Sequence, residues 1–104
     1  MDMEFVRMRR LIEKGYEALA SCVLEALEEE EPELAVICGL PLVELANAEK
    51  GSYVIESWYN EAMELGRRAL ELARREGVPS WLRDDVEKIW EILRESGWGR
   101  LTGF

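Results

Sequence analysis

Apolar residues recur every three or four positions from the start of the chain. Phe5, Met8, Ile12, Tyr16, Leu19, Val23 and Ala26 form one stripe, which predicts an amphipathic helix from about residue 2 to residue 30. Asp2 is placed to cap it. Gly15 lies inside the stripe, where it costs about 1 kcal/mol against Ala, so close packing or a break is expected there. The run Glu28-Glu29-Glu30-Glu31 opposes the helix dipole, and the helix is expected to end before Pro32. A second long stripe, Ile55, Trp58, Tyr59, Ala62, Gly66, Ala69 and Ala73, predicts a helix over 53–76 capped by Ser52. Its opposite face offers the i,i+4 pairs Glu64–Arg68 and Glu71–Arg75. After a turn at 77–80, Ser80 is expected to cap a helix over 81–96. That helix has Asp84 and Asp85 at its positive end and Leu82, Val86, Ile89, Trp90 and Leu93 on its inner face.

Residues 33–50 show no clear period. Leu34 to Cys38 is apolar, and Gly39 closes it. Pro41 suits the first turn of a short helix over 42–49, with Gly51 as its stop. The expectation is an all-α bundle of two long and two to three short helices in a single domain, 1–104. An apolar tail, 98–104, follows the bundle.

The chain also echoes itself at an offset of 36. Glu13-Lys14-Gly15 recurs as Glu49-Lys50-Gly51, Ser21 as Ser57, and Glu25-Ala26-Leu27-Glu28 as Glu61-Ala62-Met63-Glu64. Such a period suggests two related hairpin-like units. Gly15-Tyr16, Ala20, Ala26-Leu27 and Pro32, then Ala62 and Ala69-Leu70, resemble tetratricopeptide-type hairpins. That resemblance implies a protein-binding scaffold. Gly51, Tyr53, Glu61 to Leu65 and Arg68 to Leu70 are similar to the central helix of HEPN domains, which implies a dimerising bundle. The ribonuclease members of that family use a His, and this chain has none. Leu34-Ala35, Gly39, Leu45, Ala48-Glu49 and Gly51 are similar in spacing to a repressor-type helix-turn-helix.

Composition narrows the chemistry. Without His, Ser and Cys lack their common general base. Cys22 and Cys38, sixteen apart among apolar neighbours, are too few for a zinc site. They read as buried thiols, with a disulfide as the alternative. The net charge of −9 repels phosphate backbones, and Leu42, Val43 and Glu44 are poor base readers, so no nucleic-acid partner is expected. No apolar run reaches the length of a membrane span, and no signal peptide is evident. The expected setting is cytoplasmic. The scarcity of amides beside abundant Glu and Arg suits a thermophile. Glu25-x-x-Glu28 and Glu61-x-x-Glu64 are the pattern by which all-α nucleotide pyrophosphatases hold Mg²⁺, but helical phase turns most of them outward. No catalytic, metal or cofactor residues are assigned. Trp81, Trp98, Leu101 and Phe104 lie at element ends and are the candidate interaction surface. The resulting expectation is a small acidic protein-interaction module, self-associating as a homodimer. A helix-turn-helix-derived regulator and a Mg²⁺-dependent hydrolase are the alternatives.

Overall fold

The structure, a computed structural model, describes residues 3–49 and 56–98, apart from the side chains of residues 5, 56 and 57. The expected caps Asp2 and Ser52, and Leu101 and Phe104 of the tail, lie outside the described residues. Four helices follow in order: α1 (Met3–Glu28), α2 (Pro32–Ala48), α3 (Glu56–Glu76) and α4 (Arg83–Glu95). A single 3-10 turn, Ser80–Leu82, precedes α4. The all-α expectation holds among the described residues, where only 29–31, 49, 77–79 and 96–98 are not helical.

The largest departure from the sequence reading is α2. Residues 34–49 do not form an apolar segment, a turn and a short helix; they belong to one continuous helix that contains both Gly39 and Pro41. The physical reason is position. α2 packs against α1, α3 and α4. It is apolar on most sides and buries eight of its seventeen residues. A helix wetted on no broad face shows no amphipathic period. Gly39 stays helical, and its missing side chain lets α3 approach: a Cβ there would sit 3.4 Å from that of Ala69. Four residues on, Val43 meets Gly66 of α3 so closely that a methyl on Gly66 would overlap the valine. Pro41 forfeits only the hydrogen bond to Ile37, and Ile37 is 45% exposed.

α1 is longer than anything it packs on. Its 26 residues span about 39 Å and the 17 of α2 about 26 Å. From Tyr16 to Ala26 the expected stripe packs into the core, with Tyr16, Val23 and Ala26 buried and Leu19 half-buried. Before it the stripe fails: Met8, read as a core residue, is 54% exposed, and Leu11 is 57% exposed. Gly15 neither breaks the helix nor serves close packing, since a Cβ there would meet nothing within 4 Å.

Three helix ends are closed by backbone geometry. Gly77 at φ 82° ends α3 by donating its N–H to the Ala73 carbonyl at 2.8 Å. Gly97 at φ 89° ends α4, where the Trp98 N–H reaches the Leu93 carbonyl at 2.8 Å. α1 ends the same way, with the Glu31 N–H on the Ala26 carbonyl at 2.8 Å, but the left-handed residue is Glu30 at φ 53°. Ser80 does not cap α4 as expected, because Pro79 opens a 3-10 turn that must finish at Leu82 before α4 begins.

Candidate functional site

The surface feature with the clearest shape is a groove between α3 and α4. It is a cavity of about 440 Å³ lined by Leu70, Ala73, Val78, Val86 and Trp90, with Arg74 and Glu87 at its rim. Ala73, a small side chain in the last turn of α3, is part of the lining. Arg94 lies over the Trp90 ring at 4.6 Å, so that indole is held by a cation–π contact at the edge of the core. The sequence reading placed Val86 and Trp90 on a core stripe; both are half-buried and open on the groove. Val78 also lines the groove, and spacing does not mark it; its place between Gly77 and Pro79 in the turn is the sequence signal it carries.

Of the four candidate interface residues, the two that are described, Trp81 and Trp98, stand apart. Trp81, on the 3-10 turn, is 66% exposed. Trp98 stands beyond the other end of α4, a helix about 20 Å long, and is half-buried against the core. Leu101 and Phe104 lie outside the described residues.

A second cavity, about 450 Å³, lies at the α1–α2 turn. Leu34, Ile37 and Pro32 line it together with Glu30, Glu31 and Glu33. Arg75 of α3 approaches Glu30 at 3.8 Å, with both side chains mostly exposed.

Other polar groups are committed to structure. The Tyr16 hydroxyl donates to the Trp58 carbonyl at 2.7 Å, and the two rings stack at 5.2 Å. Burial first, then the nearby Glu61 carboxylate, pushes the Tyr16 hydroxyl well above its ordinary pKa. The expected pairs Glu64–Arg68 and Glu71–Arg75 are not the ones formed. Arg67 bridges instead, to Glu64 at 2.6 Å and to Glu71, because it sits three and four residues from them on one face. The hydrogen bond from Arg67 lowers the Glu64 pKa. That bond also occupies one carboxylate of the Glu61-x-x-Glu64 pattern, while Glu25 and Glu28 are exposed on α1. Among the described residues no group of three His, Cys, Asp or Glu could hold a metal ion.

Cys22 and Cys38 are not free thiols. They form a disulfide between α1 and α2 across a Cα–Cα distance of 6.0 Å, ordinary for such a bridge. The helix-turn-helix spacing has no turn: Leu42 and Val43, which would lead a recognition helix, are fully buried in the middle of α2. No helix among the described residues is long and apolar enough to cross a membrane.

Comparison with protein-family models, with curated proteins and with solved structures finds no match for this chain.

Proposed function

We propose that this chain is a small acidic protein-interaction module that self-associates, built from two hairpin-like units, α1–α2 and α3–α4. The observation that carries this reading is the open apolar groove between α3 and α4, with Trp81 exposed on the turn that follows Val78 and Pro79. Such a groove gains from burying an apolar anchor supplied by another chain, and aromatic side chains dominate such anchors. The remaining features support binding rather than chemistry. The buried hydroxyl of Tyr16 has a partner, Arg67 is engaged by two carboxylates, and the cysteines are joined. In this reading the groove is filled by a second copy. Trp81 lies at the contact, and the apolar tail, with Trp98, Leu101 and Phe104, supplies the anchor.

Val86→Glu tests the reading. It places a charge in the groove at a half-buried position, so helicity by circular dichroism should be retained. Self-association should weaken by at least tenfold, about 1.4 kcal/mol. A chain ending after Trp98, which keeps the residue that closes α4 and removes Leu101 and Phe104, should lose association similarly. Unchanged association in both variants would remove the groove from the account.

A further inference from the structure

The charge of this chain is polarised along α1. Residues 3–11 hold three arginines, Arg7, Arg9 and Arg10, against one glutamate. Residues 25–33 hold six glutamates and no base. Glu33 sits well at the positive end of α2. Glu25 and Glu28 do not: they lie near the negative end of α1, whose last turn has no basic residue.

Each charged end also carries uncovered apolar surface. On the first three turns of α1, Met3, Met8 and Leu11 are 81%, 54% and 57% exposed, and Arg7 and Arg10 are interleaved with them at helical spacing. At the other end, Leu34 and the half-exposed Ile37 floor the cavity at the α1–α2 turn, with Glu30, Glu31 and Glu33 around it. A basic helix with aliphatic anchors and an acidic groove with an aliphatic floor are complementary in both charge and polarity.

They cannot meet within one molecule. Leu11 and Glu28 are ends of one continuous helix and lie about 26 Å apart along it. A second copy can bring them together. Two molecules laid antiparallel, related by a two-fold axis, place each basic end on the other's acidic groove, so both contacts close at once. The molecule is 48 Å long, which leaves room for both contacts on one side.

We infer that the first three turns of α1 are a docking helix for a second copy of this chain, which seats them on its acidic groove at the α1–α2 turn. This contact uses a different face from the α3–α4 groove and does not depend on it.

Charge exchange tests the inference. One variant carries Arg7→Glu, Arg9→Glu and Arg10→Glu; the other carries Glu30→Arg, Glu31→Arg and Glu33→Arg. All six positions are exposed, so both variants should keep the helicity of the parent. In sedimentation at about 20 mM salt, where screening is weak, each variant alone should lose this association, because its two ends then have like charge. An equal mixture should regain it, because each variant's end complements the other's. Association of the unaltered chain through this contact should fall at least tenfold by about 0.5 M salt. Variants that associate alone as the parent does, or a mixture that regains no mass, would overturn the inference. Unchanged association in Val86→Glu, with pairing still restored in the charge-exchanged mixture, would count against the α3–α4 groove and leave this inference standing.

Discussion

Gly66 and Gly15 occupy similar places in the sequence, each inside an amphipathic stripe, and the bundle treats them in opposite ways. Gly66 lies where α2, α3 and α4 converge. A methyl there would overlap Val43, and Leu93 stands 3.8 Å away. Gly15 lies on α1 just before the buried stripe begins, and a methyl there would meet nothing. The same residue therefore marks a closed seam at one site and open space at the other. The seam holds the fold together. The open stretch of α1 leaves Met8 and Leu11 uncovered.

The contrast can be tested by loosening or filling either side. The largest effect is expected where the packed half of α1 is tied to α2. Cys22→Ser, or reduction of the disulfide, should cost about 3 kcal/mol, the entropy of a loop of this length, read as a lowered denaturation midpoint. Gly66→Ala should cost about 2 kcal/mol, because Val43 is fully buried and has nowhere to move. A Gly66→Ala chain as stable as the parent would mean that the seam is looser than described.

Tyr16→Phe should cost about 1 kcal/mol at neutral pH by removing the bond to the Trp58 carbonyl. Its pH dependence has a definite sign. The folded pKa of Tyr16 is raised, so its stabilisation is complete below the unfolded value of 10.0 and is lost as pH rises above it. The gap between parent and Tyr16→Phe should therefore narrow in alkali, as read by chemical denaturation at neutral pH and above pH 10. Gly15→Ala should stabilise by roughly 0.5–1 kcal/mol, since it adds helix propensity and meets no atom. Opposite signs for alanine at positions 15 and 66 are the direct expression of the contrast.

How much of this was legible in the sequence depended on how each element meets water. α3 and α4 have one wet face each, and their stripes located them to within a few residues. The wet face of α2 carries the apolar Ile37 and Ala48 beside Glu33, Glu44 and Asn47, so no polar stripe marks it. Gly39 and Pro41 therefore look like punctuation, although packing against α1, α3 and α4 carries the helix through both. Met8 continues the stripe of α1, and spacing alone does not show that its side chain is left more than half exposed. The α3–α4 groove was hidden for a similar reason. Val86 and Trp90 have the spacing of core residues, and spacing does not show that α3 leaves them half-buried on an open groove. The disulfide needed the hairpin register of α1 against α2, which cysteine spacing alone does not supply. The charge polarity of α1, by contrast, was plain in the sequence, and the structure added the uncovered apolar side chains at both ends.

The central claim is that the surfaces left open by this bundle serve association with a second copy. Sedimentation equilibrium of the full chain, from about 1 µM to about 100 µM at low salt, tests it most directly. The account predicts an average mass that rises with concentration above the 12.0 kDa of one chain. A mass that stays at 12.0 kDa across the whole range would contradict it.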